Sequence, residues 1–591
     1  MTEIQPLQAA VIRRSNVMKK EGILAMKHAK RVGQVIAAGL ALTLTATACG
    51  GDDDAASPTD QATAGAKGGT VTVYHENDVE HLDPQRNFVT DSGMIGKLIT
   101  RTLTDYRYDA KAKKIVLEND LAASYESTPD FKTWTFKLKD GLKYEDGTAI
   151  TTADIKYGAE RSFSADMQEG APYAHEYLDC AGYKGPYVDG NNGGKGCTAI
   201  EVPDEKTIVF KLNRPVPTFE GTASMKIWSP VPKAKDTKTQ YDNHPVATGP
   251  YKIESYTRKK QLVLVRNENW DAKTDPLRTG LPDKFIFKFG DAPATVDQRL
   301  FADGTADQSS VSFGGVQPEN IAKTNQANVK DRVIESTDVC RRYIAFNEQK
   351  PLLKNQKLRE ALYVGLDRTS YRDGRGGERL SAVVDSIIPE DLDGYKPEET
   401  FKVPPEGDPV KAKQLLTEAG YKGEKLVLGT SDAGLAVKAA EAAQASWKSI
   451  GVNVDIQKIP GDNYYSTQQQ DSSATDLITA GWCYDWATLA TVVPPVFGPD
   501  TTAPNKPAQN NYGRNTVGWD KMAELEKETD KAKLTTGLSD LYTEIMKTVP
   551  LVPIVKDLNV YVVGSNVDNP VADPNTGGLP DLTQIGLKKA N

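Results

Sequence analysis

The sequence predicts an α/β protein of several domains, and three observations carry that expectation. Short alternating runs, TVTVY at 70–74 and KFIFKF at 284–289 among them, have the two-residue period of half-buried strands. From about residue 340, strand-like runs alternate with runs of helical period, the order that builds an α/β layer. The 591 residues correspond to roughly two to four domains. At 39% apolar and 26% charged residues the chain can build cores and is not disordered overall.

The elements follow in order. Residues 70–74 form a first strand, and Trp134–Leu138 alternates as another before the turn residues Asp140-Gly141 and Asp146-Gly147. Thr151 or Thr152 opens a helix to about Phe163, with Asp154 in its first turn. Residues 202–212 read as a hairpin about Asp204-Glu205, and 260–266 and 284–289 as strands. In the second half, 343–346 is a strand, and 355–367 a helix with Leu358, Ala361, Leu362 and Leu366 on one face. Asp408 caps the next helix, with Pro409 at its first position and Gly420 at its end. Residues 426–429 are a short strand, 436–450 an amphipathic helix closed by Gly451, and Val452, Val454 and Ile456 a strand. Residues 536–548 give a last helix, followed by two strands, LVPIV and VYVV. No repeat of 20–50 residues is visible.

The charge balance, 72 Lys+Arg against 80 Asp+Glu for a net of −8, argues against nucleic acid as the main partner. No apolar run reaches the ~18 residues of a membrane span, so a polytopic membrane protein is excluded. The N-terminus reads as an export signal. Lys27, His28, Lys30 and Arg31 precede an apolar run from Val35 to Ala48, about 14 residues, the length of a signal-peptide core. Ala46-Thr47-Ala48 then leads to Cys49, a placement that resembles the lipobox of bacterial lipoproteins, with Ala46 where Leu is commonest. The alternative is ordinary secretory cleavage. Residues 1–25 exceed a normal signal, which points to Met26 or Met18 as the true start. The Gly-, Ala- and Asp-rich stretch 50–69 reads as a flexible tether of about 25 Å root-mean-square span. Residues 1–48 carry seven Lys+Arg and two Glu, so the mature chain stands at −13.

Four cysteines remain after Cys49: Cys180, Cys197, Cys340 and Cys483. In an exported protein they suggest two disulfides, with three possible pairings. The short Gly/Asn-rich loop between Cys180 and Cys197 favours local pairing there, which leaves Cys340 with Cys483. Zinc is the rival reading, but there is no CxxC pair and no nearby His. Catalytic motifs are near misses. His75-Glu76 and His81 stand six residues apart rather than at the one-face helical spacing of a zinc protease. Gly429–Gly434 is not a nucleophile elbow, because its second glycine comes one place late. Asp391–Gly394 is too short for an EF-hand loop. No Walker or Rossmann fingerprint is present. The expectation is no enzyme, no catalytic residue, no cofactor and no metal.

Several stretches together resemble the bacterial extracellular solute-binding proteins of family 5, the oligopeptide, dipeptide and nickel group of ABC importers. They are GGTVTVY at 68–74 with LDPQ at 82–85, TWTFKLKDGLKYEDGTAITTADIKYGAERSF at 133–163, ATGPYKIESY at 247–256, RRYIAFNEQKPLLKNQKLREALYVGLDR at 341–368, DPVKAKQLLTEAGY at 408–421, SWKSIGVNVDIQKI at 446–459, DLITAGWCYDW at 476–486 and LYTEIMKTVPLVPIV at 541–555. They keep the family's order across nearly the whole mature chain.

The resemblance implies a two-lobed periplasmic-binding-protein clamp of type II with an extra domain. Lobe one is expected from 70–111, 245–337 and 552–591, the additional domain from 112–244, and lobe two from 338–551. Crossings near 337–341 and 550–553 would form the hinge between the lobes, with 1–48 as signal peptide and 49–69 as lipidated cysteine and tether. Closure of such a clamp buries a ligand at the interface.

The segment GWCYDW, 481–486, gathers two tryptophans, a tyrosine and a carboxylate, and reads either as a buried aromatic strand end or as a binding edge. In peptide-binding relatives an Asp two residues after the Cys holds the α-ammonium, which carries over to Asp485; a carboxylate in a closed cleft suits a cation. The backbone of Gly481 and Cys483 would pair with the peptide as an added strand, and Trp482, Tyr484 and Trp486 would flank it. The Cys340–Cys483 bridge would hold this segment firm. Some oligopeptide binders carry Arg where this chain has Thr479, so preferred length would differ. The loop from Glu80 to Arg86 would supply the other wall. Peptide capture for an ABC permease and its ATPase subunits, by a monomer anchored through Cys49 to the cell membrane, is therefore the leading expectation. An oligosaccharide, a nickel chelate or another small solute, a ligand-sensing signalling lipoprotein, and an extracellular enzyme are the alternatives.

Overall fold

Three larger sheets organise the computed structural model, which describes residues 65–590 except 168, 189–190, 398–399, 462–463, 471–473 and 501–504. The signal segment, Cys49 and most of the tether lie outside the described residues. Residues 66–69, expected as the end of a flexible tether, are instead bonded to the body. Ala66 N–H donates to Leu587 O at 2.8 Å and Gly68 N–H to Leu281 O at 2.9 Å.

The first sheet runs Ser310–Ser312, Thr70–His75, Lys284–Phe289, Gln261–Arg266, Tyr251–Thr257. Its central pair is parallel, in the register Val71↔Phe285 and Val73↔Phe287. The KFIFKF alternation does what its period dictates: Phe285, Phe287 and Phe289 are buried while Lys284, Ile286 and Lys288 are half-buried. The second sheet is four-stranded and antiparallel, in the order Ala122–Ser127, Thr133–Leu138, Thr207–Lys211, Ile200–Asp204. Its aromatic face of Trp134, Phe136 and Phe210 packs on Phe219 and Trp228. The helix Thr152–Arg161 lies beside it, two residues shorter than its periodicity suggests, and Thr151 N–H donates to Asp154 Oδ2 at 2.9 Å at its start.

The third sheet follows Val333–Thr337, Leu551–Val562, Arg341–Phe346, Leu477–Trp482, Lys425–Ser431, Asn453–Ile459, with Ser381–Val383 also on Leu551–Val562. Helix Pro409–Ala419 is capped by Asp408, which accepts from Lys411 N–H, and ends at Gly420 with φ +67°. Helix Gly434–Ile450 buries Ala439, Ala440, Ala443, Trp447 and Ile450, one face at helical spacing. The cores of the three sheets are separate clusters.

Two expectations are corrected. The helix read over 355–367 stops at Val364. Gly365 approaches Ile450 so closely that a Cβ would lie 2.6 Å from its Cδ1, and Asp367 caps a new helix, Arg368–Gly374. The two strands read in LVPIV and VYVV are one strand of 12 residues, Leu551–Val562. The polar middle does not break it, because Asp557 is held by Arg342 at 2.8 Å and Arg375 at 2.8 Å. Its first half pairs with Arg341–Phe346 and its second with Val333–Thr337. Among the described residues no helix is long and apolar enough to cross a membrane.

Candidate functional site

The strand Leu477–Trp482 is paired along one side over its whole length, with Arg342↔Gly481 and Arg341↔Trp482 at its end. On its other side it meets Lys425–Ser431 only at Leu477 and Ile478. The Tyr464 hydroxyl donates to Thr479 O. Beyond that point, from Ala480 to Cys483, no strand occupies this side among the described residues. An unpaired strand edge presents its N–H and C=O groups to an extended chain. The disulfide Cys340–Cys483, Cα–Cα 4.0 Å, ties the open end back to the neighbouring strand, and Cys180–Cys197 is the second bridge. Both cysteine pairings expected from the sequence are formed, so the cluster of Asp338, Cys340 and Cys483 is a bridge with an acid beside it rather than a zinc site.

Asp485 follows this edge. It is partly accessible, and Tyr173 of the helix Tyr173–Tyr177 donates its hydroxyl to Oδ2. Burial pushes the Asp485 carboxyl up to about 7; the Tyr173 hydrogen bond pulls the other way and nearby Glu176 pushes further up. Among the described residues no cation is paired with it. Arg214, which acts on the neighbouring Glu176 and Tyr177, pairs with Glu526 at 3.3 Å and lies over the Tyr177 ring at 5.0 Å. Glu176 is itself raised by burial, with Arg214 lowering it and Glu526 raising it. Asp485 thus has an aromatic hydroxyl on Oδ2 and a second carboxylate nearby.

The other residues singled out in GWCYDW divide by role. Gly481 lies against Arg342, where a Cβ would meet Nη1 at 3.0 Å. Trp482 is half-buried and donates Nε1–H to Thr491 O at 2.6 Å. Cys483 is exposed, and Tyr484 is buried. Trp486, 1% exposed, leaves the third sheet and joins the core of the second. It meets Tyr173 edge-on at 4.8 Å, donates to Thr218 Oγ1 at 3.4 Å, and fits against Gly221. Lys531–Glu220 and Arg214–Glu526 add ion pairs across the same junction.

The loop from Glu80 to Arg86, expected as the other wall, has four of its polar side chains bonded within its own surroundings, while Glu80 is exposed. Asp83 pairs with Arg161 at 2.6 Å, His81 with Asp242 at 2.9 Å, Arg86 with Glu169 at 3.2 Å, and Gln85 donates to Ile227 O and Ser229 O. These bonds fix the four-stranded sheet region onto the first sheet. The residues that do face Asp485, Tyr173 and Glu176, lie 312 and 309 positions away, and nothing in their local sequence marks them.

The profile of the bacterial extracellular solute-binding proteins, family 5 (middle), matches residues 116–504. A Brucella ovis protein described as an ABC transporter peptide-binding protein is 28% identical over 400 residues, covering 63% of this chain; the match spans 66% of that relative's length. The periplasmic oligopeptide-binding protein OppA of Escherichia coli is 29% identical over 452 residues, 73% of this chain and 78% of its own. Among solved structures, the clavulanic acid biosynthesis oligopeptide binding protein 2 superposes with a TM-score of 0.81 at 26% identity, covering 89% of this chain and 96% of that one. The fold is thus the α/β two-lobed clamp of these binding proteins.

Proposed function

The chain belongs to the bacterial extracellular solute-binding proteins, family 5, and on that footing we propose that it captures oligopeptides outside the cytoplasm and delivers them to an ABC importer. One observation carries the choice of peptide: an uncompensated carboxylate, Asp485, stands at the end of an open strand edge. A peptide has the complementary pair of features, an α-ammonium and an extended backbone. The ammonium replaces the Tyr173 hydroxyl on Asp485, and the backbone adds to Gly481–Cys483 as a further strand, which supplies affinity without side-chain preference. Relatives named as oligopeptide-binding proteins support the reading. Stacking of sugar rings on Trp486 is disfavoured, since that indole is already packed on Tyr173.

The lobes close as 70–111, 245–337 and 552–591 with 112–244 on one side, and 338–551 on the other. The hinge lies near 337–341 and 550–553. Residues 1–48 are removed on export, Cys49 carries the lipid that anchors the protein to the cell membrane, and the protein works as a monomer. It binds and releases without turning its ligand over, and the permease's ATPase subunits supply the energy.

Calorimetry with tetraalanine and N-acetyl-tetraalanine tests the reading. Free peptide is expected to bind at least about tenfold tighter than acetylated peptide, the worth of a charge-assisted hydrogen bond, and Asp485→Asn to abolish the difference. Equal binding of the two peptides by the wild type overturns it.

A further inference from the structure

The segment that carries Asp485 also sends one side chain out of its own core. Tyr484 and Leu489 lie in the core of the third sheet, whereas Trp486, between them, lies in the core of the second. Among the described residues, every other member of that second core comes from 103–246. The chain neighbours of Trp486 do not follow it inward: Asp485 is half-buried and Ala487 exposed. Its main chain stays with the third-sheet side. The Trp486 carbonyl accepts from the Thr491 hydroxyl at 2.9 Å, and the Thr491 carbonyl accepts from Trp482 Nε1 at 2.6 Å. Backbone and indole are thus held by different parts of the molecule.

The socket belongs to the second-sheet side. The Tyr173 ring stands edge-on to the indole with centroids 4.8 Å apart, and Thr218 Oγ1 accepts its Nε1–H at 3.4 Å. Gly221 makes the space, since a Cβ there would lie 2.6 Å from Trp486 Cδ1. The same short helix, Phe219–Thr222, carries Glu220, which pairs at the rim with Lys531 of the third-sheet side. Arg214 and Glu526 form a second rim pair at 3.3 Å. Partly exposed ion pairs hold weakly, whereas an aromatic side chain in a fitted, desolvated socket is the kind of contact that dominates an interface. Tyr173 joins this socket to the candidate site: its hydroxyl donates to Asp485 while its ring meets Trp486.

We propose that Trp486 is the latch of the clamp, an indole carried by the third-sheet side that seats in the socket of Tyr173, Thr218 and Gly221 and slows release of the ligand without contacting it. The latch rests on the peptide reading above, which supplies the ligand for its test. Consecutive residues then divide the work: Asp485 decides what is held, and Trp486 decides for how long.

The test is stopped flow with tetraalanine on the mature wild type, Trp486→Leu and Gly221→Ala. Gly221→Ala keeps the indole and alters only the socket, so it carries the test if Trp486→Leu does not fold; circular dichroism checks both. In each variant the off-rate is expected to rise at least about tenfold with the on-rate changed less than about threefold. Calorimetry is expected to show the wild type's preference for tetraalanine over N-acetyl-tetraalanine in both variants, because Asp485 is untouched. A smaller rise in off-rate in either folded variant overturns the latch and leaves the peptide reading standing. A rise accompanied by loss of the preference for free peptide also overturns it, since Trp486 would then be a wall of the ligand site. Failure of tetraalanine to bind the wild type overturns the peptide reading and the latch with it.

Discussion

Two groups of charges in this molecule, one fully buried and one half-buried, differ in their bookkeeping. Between the first and second sheets, Arg278 bonds Asp105 at 3.0 Å, Asp120 at 3.0 Å and Asp275 at 3.1 Å, and Arg101 bonds Asp120 at 2.6 Å. Burial alone would raise the Asp120 carboxyl, but the two guanidiniums hold it well below the usual range. At the end of the strand Leu477–Trp482, Asp485 has a hydroxyl and a second carboxylate for company, and its carboxyl rises to about 7. Matched charges fasten the framework. An unmatched one is costly to bury unless a partner arrives, and on the peptide reading proposed above it is kept for a ligand that comes and goes.

The contrast is open to attack at several points. Arg278→Met takes one guanidinium from three buried carboxylates, leaving Arg101 to Asp120 and Asp275 and Lys97 to Asp105, and is expected to cost about 3–5 kcal/mol in urea unfolding. A loss under 1 kcal/mol erases the distinction between the two groups. Peptide affinity is expected to fall about tenfold per pH unit below pH 7. The sign follows from Asp485: its carboxyl titrates near 7 in the empty protein and lower beside a bound ammonium, so binding releases a proton that acid opposes. The groups facing it, Tyr173, Tyr177, Glu176 and Arg214, supply no competing cation in contact with it. Calorimetry at pH 5, 6 and 7 reads the slope, and a flat profile contradicts it. Gly221→Ala places a Cβ 2.6 Å from Trp486 Cδ1 and 2.8 Å from the Tyr106 oxygen. Overpacking of about 1–3 kcal/mol is expected to appear as weaker peptide binding with folding intact. Unchanged affinity would mean that the Trp486 contact is not part of the bound state. Lys531→Ala removes a half-exposed ion pair with Glu220 and is expected to change the peptide off-rate by less than about fivefold in stopped flow. A larger change makes the rim a latch.

How far the sequence reaches depends on the range of the interaction concerned. The cap and stop of the helix Pro409–Ala419 lie within a dozen residues, and Asp408 and Gly420 state both. The alternation in Lys284–Phe289 likewise predicts which residues are buried. The run Leu551–Val562 reads as two strands in the sequence because Lys556 and Asp557 look like a break. Their tolerance in a strand comes from Arg342 and Arg375, about 200 residues away. The candidate site shows the same limit. Asp485 is legible through its motif, whereas Tyr173 and Glu176 stand beside it only because the chain packs the helix Tyr173–Tyr177 there, and no local pattern announces that.

The long strand Leu551–Val562 also sets an order of events in the life of the chain. The first sheet's core includes Val563, Val567 and Leu587 beside Val71 and Phe285, while the third sheet needs Val552 and Ile554 between its earlier strands. Neither half is finished until residues past 550 have emerged from synthesis and export. Contacts this distant in sequence form slowly and leave strand edges bare in the meantime. The antiparallel second sheet, built wholly from residues 122–211, has no such wait and is placed to form first, as the foothold on which the remainder assembles.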